Sequence, residues 1–201
     1  RMLTVKEAGE LLELGNERNP GPWKRHSLSA AENARLIGQK AGMDGEKAYV
    51  MGLLHDIGRR EGVTAIRHIF DGYDYMMSLD QPEIARICLT HSFPERDIRT
   101  YFGAYDCSEE QLEFLRGVVE NKAYDDYDRL IQLCDAISLP DGACIMEKRL
   151  VDVALRHGLP EFTLKKWRAF METKKYFDEL CGCNVYSLLP RVMENSYVSL
   201  L

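Results

Sequence analysis

The sequence predicts an all-α fold, and three observations carry that expectation. Apolar residues return every three or four positions in stretch after stretch, the pattern of one helix face. Capping boxes, in which a Ser or Thr is followed three residues later by Glu or Gln, open several of these stretches. No stretch alternates apolar and polar residues over the length of a strand. With 201 residues the chain suits one domain with a sizeable core.

Thr4 and Glu7 form a capping box that opens a helix through Val5, Ala8 and Leu11, ending near Gly15. Asn16 to Trp23 reads as a loop from its proline and glycine content. Ser29 and Glu32 predict a second helix that starts just after His26 and runs to about Gly42. A third helix covers Glu46 to Ile57. Val50, Met51, Leu53 and Leu54 make it apolar nearly all round, so it belongs at the centre, and Gly58 and Gly62 bracket its end. Ile66, Ile69, Phe70 and Tyr73 share one face of a fourth helix. Pro82 suits the first position of a fifth, whose apolar face carries Ile84, Ile87, Cys88 and His91. Ser108 and Gln111 open a sixth through Leu112, Leu115 and Val119. Leu130, Leu133, Cys134 and Ile137 mark a seventh, interrupted at Pro140-Asp141-Gly142. Another helix runs from about Ala143 to Gly158 and a last one from Leu164 to Leu180, with an irregular tail after Cys183. Leu159-Pro160 divides a helical core, residues 1–158, from a C-terminal helix and tail, residues 159–201, expected to pack on it.

Apolar residues at 45% and charged residues at 29% describe an ordinary globular protein rather than a disordered or membrane chain. The net charge of −6 argues against a broad nucleic-acid-binding face, which needs a basic stripe. A small anionic substrate stays compatible with it, because a bound metal reverses the local field. No window approaches the length of a membrane span, and Arg1-Met2-Leu3 opens no apolar signal region. The expected location is the cytoplasm, with the six cysteines reduced. Cys181-Gly182-Cys183, a lone close pair, is a weak zinc signal.

The stretch Gly52-Leu-Leu-His-Asp-Ile-Gly-Arg-Arg60 sets a histidine beside an aspartate at the end of the most apolar helix. Both side chains are costly to bury without partners. The chain has only five histidines, and four of them with two aspartates form an ordered series: His26, His55-Asp56, His68, His91 and Asp135. Imidazole nitrogens and carboxylate oxygens are ligands for divalent first-row metals. Helical neighbours point about 100° apart, so His55 and Asp56 can lean toward one edge, which His26 and Asp135 must reach from other helices. Asp56 can give one oxygen to each of two ions, leaving His68 and His91 for the second. A single histidine on an apolar face is more often a hydrogen-bonded core residue, and His68 lies one position off its helix's apolar stripe. His157, before Gly158, suits a helix C-terminus instead. The run Tyr124 to Asp128 reads as a solvated face or a helix start. Tyr101, Phe102 and Tyr105 either pack or stack on a base.

The order H…HD…H…H…D resembles the HD-domain superfamily of metal-dependent phosphohydrolases, in its six-ligand, two-metal variety. The likeness covers His26 to Leu155 and is closest to small bacterial HD hydrolases, including the branch that splits diadenosine tetraphosphate symmetrically. It implies an HD-domain helical bundle with a short C-terminal appendage. It implies metal ligation by His26, His55, Asp56, His68, His91 and Asp135, with one or two divalent ions: iron, manganese, cobalt, nickel, zinc or magnesium. It further implies hydrolysis of a phosphoester or phosphoanhydride, of a nucleotide, by a metal-activated water. Arg59 matches the superfamily position that is often lysine in HD-x-x-K and is expected to act with Asp56 by clamping a phosphate oxygen. Arg60 and Lys122 are weaker candidates for the pocket mouth.

The chain departs from two branches. Asp71-Gly72-Tyr73-Asp74 only echoes the GYP motif of cyclic-di-GMP phosphodiesterases, and His91-Ser92-Phe93-Pro94 stands where the diadenosine branch has H-T-T-G. The expected partner is a small phosphorylated molecule, with no extended nucleic acid and no membrane; homodimerisation is compatible with this. The alternatives are a nucleotide-responsive regulatory module without turnover, and an oxygenase or lyase on the same helical core.

Overall fold

A computed structural model describes residues 1–201 as ten α-helices and one two-stranded hairpin. Helix α1 (Val5–Arg18) opens on the expected capping box, Thr4 Oγ1 accepting from Glu7 N and Glu7 Oε2 from Thr4 N. It does not stop at Gly15 but continues to Arg18, because a single glycine costs a helix only about 1 kcal/mol and Gly15 is buried against the fold. Helix α2 (Trp23–Lys40) starts behind Pro20-Gly21-Pro22, earlier than Ser29 suggested. Ser29 caps nothing; it sits in mid-helix with its hydroxyl buried and unpartnered. His26 therefore lies in the first turn of α2, not ahead of it.

Helix α3 (Gly45–Leu54) is capped by Asp44, whose Oδ1 accepts from Glu46 N and Lys47 N. Ala48, Val50, Met51, Leu53 and Leu54 are all fully buried, as the apolar run requires. The helix ends at Leu54, three residues short of Ile57; His55 and Asp56 form the turn into a 3-10 stretch, Ile57–Glu61. Helices α2 and α3 touch backbone to backbone at Gly52. A Cβ on Gly52 would lie 2.8 Å from Ala31 Cα, a separation no real side chain tolerates. This close crossing brings the rings of His26 and His55 to 5.2 Å.

Helix α4 (Arg67–Ser78), α5 (Pro82–Thr90) and α6 (Glu109–Asn121) build a second, smaller core from Ile66, Ile69, Phe70, Leu89, Phe93 and Leu115. Pro82 opens α5 and the Ser108–Gln111 box opens α6, both as expected. In α7 (Asp126–Ala136) the acidic run is the helix start, with Asp125 as cap. Asp128 is not solvated. It is fully buried, accepts from Thr90 Oγ1 at 2.8 Å and faces Arg86 Nε at 3.2 Å. Those partners come from α5, out of reach of any local reading of α7.

The Pro140-Asp141 interruption is the turn of a hairpin the sequence did not announce: β1 (Ser138–Leu139) pairs antiparallel with β2 (Gly142–Ala143). Strands of two residues are too short to display alternation. Helix α8 (Met146–His157) and α9 (Thr163–Cys181) follow, joined by an exposed link at Leu159-Pro160. The tail contains a 3-10 turn (Val185–Leu188) and α10 (Val192–Ser196) where irregular chain was expected. Phe170, Phe177 and Cys181 of α9 enter the same core as Ile37 of α2 and Leu130 and Leu133 of α7. The six cysteines are unbonded, and no helix is long and apolar enough to cross a membrane.

Candidate metal centre

The six ordered side chains converge. His26 comes from the first turn of α2, His55 and Asp56 from the turn after α3, His68 from α4, His91 from the end of α5, and Asp135 from the last turn of α7. His55, His68 and His91 are almost fully buried, and Asp56 is 5% exposed. His68, which sat off the apolar stripe, is buried because that side of α4 faces the 3-10 stretch after Asp56 rather than solvent. Gly58 and Gly72 lie back to back there, with no room for a Cβ on Gly58.

The two oxygens of Asp56 divide the histidines. Oδ2 lies 3.8 Å from His26 Nε2 and 3.7 Å from His55 Nε2. Oδ1 lies 3.2 Å from His68 Nε2 and 3.3 Å from His91 Nε2, and those two nitrogens are 3.5 Å apart. On the first side Asp135 Oδ1 adds itself at 2.8 Å from His26 Nε2 and 3.4 Å from His55 Nε2. Ligands about 2.0–2.2 Å from a shared ion stand roughly 3.0–3.6 Å apart at ordinary bond angles; the second group falls within that spacing, and the first lies within a few tenths of an ångström of it.

All four histidines are also held in one tautomer. Nδ1 of His26 donates to Ser138 O, of His55 to Gly52 O, of His68 to Ala65 O and of His91 to Cys88 O, at 2.6 to 3.0 Å. A carbonyl can only accept, so each Nδ1 carries a proton and each Nε2 is directed at the cluster. The hairpin thus has a purpose in the site: β1 supplies the carbonyl beneath His26. His55 Nε2 is buried without any well-formed hydrogen bond, although Asp135 lies near it. An orphaned imidazole nitrogen among two carboxylates and three further Nε2 atoms fits a divalent cation.

The charges point the same way. Burial resists ionisation of Asp56, yet Arg59 and the His55, His68 and His91 imidazoles hold its carboxyl well below the usual range. Burial likewise opposes Asp135, which His26 and His55 hold low. Burial would lower His55, but the Asp56 and Asp135 carboxylates outweigh it and raise it to about 9. The two carboxylates, Asp56 buried and Asp135 partly buried, demand positive charge, which protons supply when a metal does not. The donor sets differ. Around a first ion His26, His55, Asp135 and Asp56 Oδ2 would make four donors; around a second, His68, His91 and Asp56 Oδ1 would make three, leaving positions open. His68→Ala is therefore expected to lower bound metal by about one equivalent while the first ion stays, measured by elemental analysis; unchanged content or total loss would refute two distinct sets.

Arg59 follows on the 3-10 stretch. Its Nε donates to Asp56 Oδ2 at 3.2 Å, and neither terminal nitrogen donates to a protein acceptor. Arg59 and every member of the cluster except His55 line one cavity of about 660 Å³. Arg60 does not reach it: its guanidinium stacks 3.9 Å over the Tyr75 ring. Lys122, at the end of α6, is exposed and also outside the cavity. Tyr101 and Phe102 line the cavity, and Tyr105 does not. His157 reaches the cavity rim from the last turn of α8 but belongs to no metal-ligand group. Arg149, Arg156 and Lys166, which sequence reasoning passed over, also line it. Nothing in the Arg- and Lys-rich pattern of α8 and α9 distinguishes the residues that turn inward, so no sequence signal marked them.

A family model described as HD domain matches residues 24–139, a span that holds all six converging residues and ends before α8 and α9. Comparison with curated proteins finds no match, and neither does comparison with solved structures.

Proposed function

This chain belongs to the HD-domain family, and we propose that it cleaves a phosphoester or phosphoanhydride of a nucleotide with water. Proteins of the family are mostly metal-dependent phosphohydrolases. One observation supports the reading most: the Asp56 carboxylate faces a histidine pair with each oxygen, and all four imidazoles are fixed with Nε2 inward.

His26, His55, Asp135 and Asp56 would hold one divalent ion, and His68, His91 and Asp56 a second. Such ions, when bound, acidify a water into the attacking group and offset the charge of the phosphate. The backbone carbonyls beneath the histidines keep the rings from turning, so the inward donors are set before any ligand arrives. Arg59, anchored through Nε on Asp56, has both terminal nitrogens free to donate to a phosphate oxygen, the two-pronged geometry for which a guanidinium is suited. Tyr101 lines the cavity beside Arg59; burial raises its hydroxyl to about 12, so it stays protonated and can donate to a phosphate oxygen. The cavity volume is that of a small-molecule site.

The test is a panel of nucleotides and a chromogenic phosphodiester, assayed with manganese, cobalt and iron after elemental analysis of the protein as isolated. Turnover is expected to be lost on chelation and restored by metal. Metal-loaded protein that leaves every nucleotide and diester intact would replace this reading with that of a binding module.

A further inference from the structure

The matched HD region ends at residue 139, yet α9 sends one lysine into the same cavity. Lys165 and Lys166 are adjacent and behave oppositely. Lys165 is half-exposed and pairs with Glu95 at 3.3 Å and Asp97 at 3.4 Å. Lys166 is 6% exposed, and its Nζ makes a single hydrogen bond, to Thr100 O at 3.0 Å. The ammonium also lies 4.5 Å from the Phe102 ring centroid. Arg59, Arg149 and Arg156 share this cavity, and each has a carboxylate within reach: Asp56 for the first and Asp152 for the other two. Lys166 has none.

The influences that disfavour a cation at this position outweigh the Thr100 carbonyl and the Phe102 ring that favour one. Burial lowers its pKa to about 8, opposed only by the Asp135 carboxylate. It lies in the first turns of α9 (Thr163–Cys181), where the helix dipole repels positive charge. Two of its three donors have no partner. A buried cation so poorly compensated costs stability, and what would complete it is an anion arriving from the cavity.

The placement of Arg59 and Lys166, two cationic groups with free terminal donors, narrows that anion. Arg59 stands on Asp56, and Tyr101 feels its charge. Lys166 is tied to Thr100 and Phe102 on either side of Tyr101 in sequence. We propose that Lys166 is a positioning residue for a second phosphate group of the substrate, one that is not attacked, so that this chain acts on molecules with two or more linked phosphates in preference to monophosphates. The inference rests on the hydrolase reading above for its substrate, but not for its ligand chemistry.

The experiment titrates methylenediphosphonate, a diphosphate with a bridge that water cannot cleave, and separately orthophosphate, into the metal-containing protein by calorimetry. The wild type is compared with Lys166→Met and Lys166→Arg. Losing one charge-assisted contact should weaken diphosphonate binding roughly 10- to 100-fold in the methionine variant, with orthophosphate little affected. The arginine variant should recover part of the loss. For a hydrolysed nucleoside diphosphate, KM should rise by a similar factor and kcat should change less. Metal content should be unchanged and the melting temperature equal or higher, because a buried charge has been removed. Unaltered diphosphonate affinity in a folded methionine variant overturns the assignment, as does a variant that melts well below wild type, which would make Lys166 structural. If diphosphonate binding depends on Lys166 while the metal-loaded wild type hydrolyses nothing, the hydrolase reading falls and this assignment stands. If wild type hydrolyses nucleotides and the methionine variant binds the diphosphonate normally, only this assignment falls.

Discussion

Replacing Asp56 with alanine is expected to release bound metal and to cut turnover by at least about three orders of magnitude, since metal activation is asked to supply several kcal/mol of barrier lowering. Asp56 turns one oxygen toward each histidine pair, Oδ2 facing His26 and His55 and Oδ1 facing His68 and His91. Its loss also frees Arg59 Nε from its partner. The helices should persist, because Asp56 lies in a turn and none of the capping interactions depends on it. Elemental analysis, turnover and far-ultraviolet circular dichroism on one preparation check the three parts. Turnover surviving in metal-depleted Asp56→Ala protein would end the mechanism.

Gly58→Ala is the second large effect, and it acts on the fold. The added Cβ would fall 1.8 Å from His68 O and 2.6 Å from Gly72 N. Both are backbone atoms, so no side-chain rotation can relieve the overlap. Either α4 moves away from the 3-10 stretch or the segment unfolds. The expected cost exceeds about 3 kcal/mol, the upper range for overpacking a close contact. Urea denaturation measures it. Any folded fraction should lose the second ion, because α4 carries His68 and Ala65 O, which holds the His68 ring, lies just ahead of it. Gly9→Ala in α1 is the matched control: nothing lies within 4 Å of the new methyl, and alanine should stabilise that helix by about 0.5–1 kcal/mol. A Gly58→Ala protein as stable as wild type would show that α4 does not approach as closely as described.

The helices with strong local signals were legible. The Thr4–Glu7 and Ser108–Gln111 boxes, Pro82 and the apolar run at Val50 to Leu54 each act within a turn or two of chain, and each stands where it was expected. Ser29–Glu32 had the same form and misled, because the segment Pro20-Gly21-Pro22 had already set the helix start and the surrounding core kept Ser29 inside it. The hairpin at Ser138–Ala143 was too short to carry a periodic pattern. Arg60 and Lys122 were reasonable mouth residues by proximity to the histidine-aspartate pair and by charge. Tyr75 captures the first, and the second is exposed at the end of α6, outside the cavity.

The sequence by itself determined the helical class, the order of the six converging residues and their chemical type, because side-chain identity and short-range periodicity are local properties. Tertiary structure decided the rest. His26 meets Asp135 across 109 residues of chain, and Lys166 meets Thr100 across 66. The tautomer of each imidazole is set by a carbonyl that only the folded backbone brings beneath it, Ser138 O for His26 being the most distant. Burial, which turns an ordinary lysine into an uncompensated charge and an ordinary glycine into the one residue that fits, comes from every element packed around a residue and is not written in its own neighbourhood.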